Sequence, residues 1–260
     1  MKRLSTFALF YIGMAALLVA RTLQRFYMIE TGTGFFKDGF AQSGSLITAV
    51  SVLFAVVLML MMRLSVPNEV KRPDKSKTLA VGAFCAAAGL FVSAVMSVLS
   101  SKAKGNTVIA LLAVAFAIAM VLNGMSLRKG AELHSAVSLI GIAYCLIRLI
   151  ISFTGYLSEV TVADSVFDIF TMCMLLLFFT ADSKVAYKIK TERLPASFFG
   201  AGLAASLFCV LEVVPVVMAL VMGVKLHGAS APDFAYAGLA LYILADVYVS
   251  WTSSEQKAES

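Results

Sequence analysis

Charged side chains are scarce in this sequence of 260 residues, and their scarcity excludes an ordinary soluble fold. Asp, Glu, Lys and Arg together make up 14% of the chain, whereas a soluble domain carries about a quarter charged residues. Hydrophobic residues make up 60%, and they come in blocks of about 20 residues, the length at which a helix crosses the roughly 30 Å hydrocarbon core of a bilayer. The composition therefore predicts an integral membrane protein surrounded by lipid.

Histidine and cysteine are too few and too scattered to indicate a metal site. The two histidines, His134 and His227, fall in different connections, and the four cysteines lie in apolar blocks without CxxC spacing. Zinc sites and disulfide frameworks both need closely spaced or regularly patterned ligands. We therefore predict no metal, no cofactor and no disulfide framework.

Three common catalytic motifs are also missing, namely the phosphate-binding P-loop, the zinc-protease helix motif and the nucleophile elbow. An ATPase, a zinc protease and a conventional serine hydrolase therefore lack support. The net charge of +6 does not indicate a nucleic-acid partner, since the cytoplasmic loops of membrane proteins collect Lys and Arg. An enzyme acting on lipid stays open, because acid and base groups need only geometry and a suitable pKa.

The apolar blocks predict an all-α, polytopic membrane helix bundle with about eight transmembrane helices. We treat residues 1–260 as a single integral membrane domain with a polar tail at 252–260. The connections are polar or carry Gly and Pro, and none is long enough for a separate soluble domain. The predicted spans are residues 6–27, 45–62, 79–99, 107–126, 136–157, 165–181, 198–222 and 234–251.

The distribution of basic residues predicts the orientation. With both termini in the cytoplasm, six Lys and Arg lie on the outer side and one, Arg148, lies within a span. This imbalance satisfies the positive-inside rule for an integral protein of the plasma membrane. The cytoplasmic set has fourteen members: Lys2, Arg3, Arg63, Lys71, Arg72, Lys75, Lys77, Arg128, Lys129, Lys184, Lys188, Lys190, Arg193 and Lys257.

An offset of 123 residues suggests an internal repeat of 1–127 and 128–254. Arg25 recurs as Arg148 with the same spacing to a following Thr-Gly pair, and Asn123 falls on Asp246. Transporter folds often contain such repeats, although apolar sequences also resemble one another by chance. A true repeat would place Arg25 and Arg148 in equivalent positions.

Five ionisable residues are predicted to lie in the outer half of the membrane, at about 20 to 25 Å from the cytoplasmic end by helical rise. Charge at this depth is costly, so such residues face the bundle interior or water. One interpretation is a polar chamber in which arginines hold an anionic group and a carboxylate holds a cation or proton. The other is a set of mutual pairs that fixes helix order. The five are Arg21, Arg25, Arg148, Asp168 and Glu212.

Asp246 is predicted at about the level of Asn123, near the cytoplasmic end of its span. It is a candidate for proton coupling or for a hydrogen bond to Asn123 that joins two helices, with Tyr242 as a further partner. Pro215 removes an amide hydrogen close to Glu212, and an interrupted helix there would help to build a binding site.

Three functional classes stay open. A small-solute transporter or permease with a charged site in the outer half of the membrane is preferred, and its partner would be a small charged solute. A membrane-embedded lipid-modifying enzyme and a non-catalytic sensor or partner subunit are the alternatives. The sequence does not indicate an oligomeric state.

Overall fold

The computed structural model confirms the all-α prediction, and it confirms the chain as a multi-pass membrane protein. Eight of its helices are long and apolar enough to cross a membrane, and the described residues contain no strand beyond one isolated bridge, between Ile29 and Phe36. The structure describes residues 2–30, 35–67, 69–73, 75–100, 104–130, 136–158, 163–189, 191–224 and 233–256.

The helices are numbered in chain order. Most extend beyond the predicted spans, because a helix continues past the hydrocarbon core into the polar surface. α1 continues as a π-helical turn, Gln24–Met28. The helices are α1 Lys2–Leu23, α2 Ala41–Ser65, α3 Lys77–Ser100, α4 Lys104–Lys129, α5 Ala136–Ser158, α6 Ala163–Ala186, α7 Leu194–Met222 and α8 Phe234–Gln256.

Two details of the helices differ from expectation. α8 runs to Gln256, so the predicted tail from 252 is helical over its first residues. α7 runs from Leu194 to Met222 without interruption although Pro215 lies inside it, so no broken helix adjoins Glu212. Each of the eight predicted spans corresponds to one helix of the described residues. The orientation and the internal repeat stay predictions, and both histidines lie outside the described residues.

Helices α3 to α8 form a closed ring. Each packs against the next in chain order, and α8 packs against α3. In the described part of the chain, helices that are not neighbours in this ring have at most minor backbone contact. α1 and α2 lie outside the ring and pack against α7. A ring of six helices places α5 opposite α8, so a contact between those two crosses its interior.

Close backbone approach holds α3 and α8 together. A Cβ at Gly89 would lie 2.3 Å from the carbonyl oxygen of Phe234, and one at Gly238 would lie 2.5 Å from that of Cys85. No larger residue fits at either position, which is the usual role of small residues between membrane helices. Buried aromatic side chains fill much of the ring, among them Phe116, Tyr144, Phe178, Phe179 and Phe208.

Candidate functional site: three buried charge clusters

The first cluster forms where the connection between α2 and α3 enters the ring. Nε of Arg72 donates to Oδ1 of Asp246 at 2.9 Å, and Nη2 bonds both Asp182 and the second oxygen of Asp246. The guanidinium carbon lies 5.3 Å from the centroid of the Phe198 ring. The two aspartates are almost inaccessible, with side chains 3% and 0% exposed. Arg72, Asp182, Asp246 and Phe198 are called the Arg72 cluster, and they define the Arg72 end of the ring.

Serine hydroxyls donate hydrogen bonds to both aspartates of the Arg72 cluster. Ser138 donates to Asp182 at 2.6 Å, and Ser250 donates to Asp246 at 3.2 Å. Burial by itself would lower the pKa of Arg72, but the two carboxylates raise that pKa above its ordinary value. Arg72 therefore carries its charge at every physiological pH.

The connection that carries Arg72 is attached to the ring at two points. The backbone N–H of Lys71 donates to the hydroxyl of Ser254 at 3.0 Å, and that of Ser76 donates to the carbonyl of Leu127 at 3.3 Å. A groove of about 580 Å³ opens beside it, lined by Val70 and Lys71 and by the nearby ends of α6 and α7. The groove therefore lies next to the residues that surround the Arg72 cluster.

The second cluster lies at the opposite end of the ring. Nη2 of Arg148 lies 2.6 Å from Oδ2 of Asp233 and 3.4 Å from Oδ1 of Asp168. Its Nη1 donates to the hydroxyl of Tyr144 at 2.9 Å, and the guanidinium carbon lies 4.6 Å from the centroid of the Tyr236 ring. Arg148, Asp168, Asp233 and Tyr236 are called the Arg148 cluster. Because Arg148 is on α5 and Asp233 precedes α8, this ion pair crosses the ring.

Hydroxyls also surround the aspartates of the Arg148 cluster. Ser152 and Tyr236 donate to Asp168, and Ser93 donates to Asp233. Burial by itself would raise the pKa of Asp233, but Arg148, Ser93 and the backbone amide of Ala235 lower it below its ordinary value. Asp233 is therefore ionised at neutral pH.

The third cluster joins α1 to the outside of the ring. Arg21 and Arg25 both approach Glu212 of α7, at 3.4 and 3.6 Å, and Nη1 of Arg25 donates to the carbonyl oxygen of Glu212 at 3.2 Å. The Arg21 guanidinium stacks 3.6 Å from the ring centroid of Phe167, and Gln24 accepts from Arg21 at 2.6 Å. Arg21, Arg25 and Glu212 are called the Glu212 cluster.

The five residues predicted for the outer half of the membrane therefore divide between two clusters. Arg148 and Asp168 meet in one, while Arg21, Arg25 and Glu212 meet in the other. The four-residue spacing of Arg21 and Arg25 places both on one helix face, which is why both reach the same glutamate. In each cluster the arginines contact carboxylates, as the pairing interpretation expects.

Asn123 and Asp246 have different partners. Asn123 donates to the hydroxyl of Tyr242 at 3.3 Å, and Asp246 contacts Arg72 and Ser250 instead of Asn123. Arg72, in the connection between α2 and α3, provides a cation for Asp246. A buried carboxylate binds a cation more strongly than it binds a neutral amide such as that of Asn123. The hydrogen bond that joins α4 to α8 at Asn123 is therefore made with Tyr242 and not, as the sequence predicted, with Asp246.

Three charged members of these clusters were not predicted. Asp233 and Arg72 lie between spans, and Asp182 lies just beyond the predicted end of its span at 181. One signal could have predicted that a connection supplies a cation here, although not that this cation is Arg72. Asp182 and Asp246 both sit in apolar sequence near the same membrane face, and a pair of buried carboxylates requires a cation from an adjoining connection.

The Arg72 and Arg148 clusters have the same composition, and α6 and the α8 segment contribute to both. Each contains one arginine, two aspartates and one aromatic ring, so each carries a formal charge of −1. Asp168 and Asp182 are fourteen residues apart on α6, a separation of about 21 Å along the axis. The charge layers therefore lie near the two ends of the ring, with aromatic side chains between them.

Among the described residues no group of three His, Cys, Asp or Glu side chains is arranged to hold a metal ion. The polar groups of the ring ends instead bind one another through ion pairs and hydrogen bonds. Comparison with known proteins gives no relative: no family model, no curated protein and no solved structure matches the chain.

Proposed function

We propose that this protein is a transporter or permease for a small charged solute, which crosses the membrane through the ring of α3 to α8. The single observation that carries this proposal is the pair of ion-paired clusters of equal composition that close opposite ends of one ring. A single structural ion pair would stabilise helix order at one level. Two matched clusters about 21 Å apart instead resemble the two barriers that alternating access requires.

Each cluster is suited to be a barrier because it joins helices that must separate for passage. Arg148 connects α5 to the start of α8 across the ring, and Arg72 connects α6 to α8. Removing one partner of a fully buried ion pair costs about 3 to 5 kcal/mol, and the cost is smaller at the Arg148 end, where the aspartates are about one quarter exposed. Both ends therefore stay closed without solute, and a charged solute that replaces one partner offsets the cost of opening one end.

In this proposal the Arg148 end faces outward and the Arg72 end faces the cytoplasm of a cell bounded by the plasma membrane. The excess of Lys and Arg on the side of the Arg72 end supports this orientation. Phe7 of α1 packs against Trp251 of α8 with ring centroids 5.6 Å apart, which supports placing both termini on one side. The Glu212 cluster then fixes α1 to the ring near the outer end.

A leak assay in proteoliposomes tests the proposal. We expect neither Arg72→Gln nor Arg148→Gln alone to conduct freely, since one barrier stays closed in each variant. The double variant should leak, because both barriers are weakened together. Efflux of trapped guanidinium and of trapped phosphate would be measured as cationic and anionic probes.

The matched control is Arg63→Gln, since Arg63 is an exposed arginine at the end of α2. It should leave efflux at the level of the wild-type protein, alone or combined with Arg148→Gln. A folded double variant, shown by size-exclusion chromatography and circular dichroism, that retained both probes would overturn the transporter proposal.

A second candidate function, a membrane-embedded enzyme acting on lipid, is favoured by one groove of about 560 Å³ between α2 and α6. Its wall includes Val52, Leu53 and Phe170, and Thr48 at its rim accepts from Gln24 beside the Glu212 cluster. If Glu212 acted on a lipid in this groove, Glu212→Gln should abolish turnover of a phospholipid substrate. The wild-type protein would then modify liposome lipids, as lipid mass spectrometry would detect.

A further inference from the structure

The two ring-end clusters contain the same set of groups for holding an organic cation. Each combines two carboxylates, hydroxyl donors to those carboxylates and an aromatic ring beneath a guanidinium. Carboxylates pair with guanidinium groups in a forked geometry, and an aromatic face within about 6 Å attracts a cation through its quadrupole. The distances of 5.3 Å at Phe198 and 4.6 Å at Tyr236 meet that criterion.

The protein's own arginines occupy these positions. At the Arg72 end the guanidinium belongs to the connection between α2 and α3, which is not helical from Val66 to Ser76 where described. Movement of this connection would remove the cation without displacing Asp182, Asp246 or Phe198, which belong to α6, α8 and α7. The helices would then present two negative charges and an aromatic face to any cation that enters.

A path to this position adjoins the cluster. The groove of about 580 Å³ is lined by Val70 and Lys71, just before Arg72, and by Val185, one turn beyond Asp182. It is also lined by Leu194 and Pro195, about one turn before Phe198. The groove therefore borders three of the four segments that contribute to the Arg72 cluster, and withdrawal of Arg72 would connect the two.

We infer that the solute is an organic cation of the guanidinium or ammonium class, and that it binds between the paired aspartates in the place that Arg72 or Arg148 fills here. This inference rests on the proposed transport function for its biological meaning, but the binding site can be tested by itself. An anionic solute fits less well, because at both ends it would meet two aspartates for each arginine.

Chemical rescue tests the site. Arg72→Ala removes the tethered guanidinium, and added methylguanidinium at millimolar concentration should fill its place. We expect the melting temperature of purified Arg72→Ala to rise by about 3 °C at saturation, as for a ligand that binds the folded state alone. The wild-type protein and the exposed-site control Arg63→Ala should show no rise, since their clusters are already filled.

A second variant guards against loss of folding in Arg72→Ala. Arg148→Ala should show the same rescue, because Asp168 and Asp233 are about one quarter exposed and tolerate the loss of their cation better. Adding Asp233→Asn to Arg148→Ala should remove the rescue, and equal concentrations of potassium or urea should not reproduce it. If methylguanidinium changed the melting temperature of both arginine variants as it changes that of the wild type, the inference would be wrong.

The outcome separates the inference from the proposed function. Rescue in variants whose double form shows no leak would support the cation site and contradict the transporter proposal. Leak of guanidinium and phosphate through Arg72→Gln/Arg148→Gln without any rescue would support transport and contradict the cation site.

Discussion

The two ends of the ring use the same groups, but the arginine comes from a different kind of chain segment at each end. Arg148 projects from the middle of α5, a regular helix, whereas Arg72 comes from a connection attached by the Lys71 and Ser76 amides. The aspartates also differ in access, being at most 3% exposed around Arg72 and about one quarter exposed around Arg148. One end is thus closed deeply by a side chain of a non-helical connection, and the other is closed nearer the surface by a side chain of a helix.

This difference predicts two modes of opening. A non-helical connection can withdraw its side chain while the surrounding helices stay in place, since few residues need to change their backbone angles. Arg148 can leave Asp233 only if α5 and α8 move apart or its side chain changes rotamer. On the proposed transport function, we therefore expect the Arg72 end to open by movement of the connection and the Arg148 end to open by movement of helices.

The largest expected effect is the loss of stability in Arg72→Ala. It leaves Asp182 and Asp246 buried without their cation, which should lower the free energy of unfolding by about 3 to 5 kcal/mol. Chemical unfolding in detergent micelles would measure it, with Arg63→Ala as the matched surface control. A loss no larger than that of Arg63→Ala would mean that the ion pairs of this cluster do not hold the end closed.

Arg148→Ala should have a smaller effect of the same kind. Its aspartates are partly exposed, so water compensates for some of the lost pairing. The same unfolding assay gives the loss in free energy of unfolding for Arg148→Ala, and its ratio to the loss for Arg72→Ala sharpens the comparison between the ends. Equal losses would show that the difference in access has no energetic consequence.

Tyr236→Phe should lower the free energy of unfolding by about 1 kcal/mol, through loss of the hydroxyl that donates to Asp168. The aromatic face over Arg148 is retained in this variant, so methylguanidinium should still raise the melting temperature of Tyr236→Phe/Arg148→Ala. Phe198 has no hydroxyl to lose, which makes this effect specific to the Arg148 end. The measurement is again unfolding in micelles.

The smallest effect concerns pH. Because the pKa of Asp233 is lowered in the folded protein from 3.8, its ionised form contributes stability above that pH, and the contribution is lost as the pH falls through the lowered value. Wild-type protein should therefore lose more stability between about pH 5 and pH 3 than Asp233→Asn does. Thermal unfolding would measure the melting temperature of both proteins across that range. If Asp233 made no contribution, the two melting temperatures would fall in parallel as the pH falls.

The sequence predicts the membrane fold well because a bilayer imposes one simple rule on length and hydropathy. All eight spans follow from it, and Arg148, Asp168 and Glu212 could be singled out as candidates because isolated charges stand out in apolar sequence. Pairing is harder to predict. Helical rise gives the height of a residue but not the neighbouring helix that its side chain faces. The division of the outer charges into two clusters therefore became clear only from the packing of α1 and α5.

Arg72 shows most clearly what sequence could not provide. It lies close to Lys71, Lys75 and Lys77 in a connection that also contains two prolines, which is the pattern of an ordinary cytoplasmic connection. Nothing in its local sequence separates it from its neighbours. Only the tertiary fold directs this one basic side chain into the ring while the nearby Lys75 stays exposed.

Electron paramagnetic resonance distances between spin labels at each end test the central claim most directly. One pair would be attached at Lys75 and Lys184 at the Arg72 end, and the other at Thr154 of α5 and Phe234 of α8 at the Arg148 end, all exposed positions. In protein without its native cysteines, Arg72→Gln should lengthen only the first distance, and Arg148→Gln should lengthen only the second. If either variant lengthened both distances together, or if neither distance changed, the ends would not open in alternation.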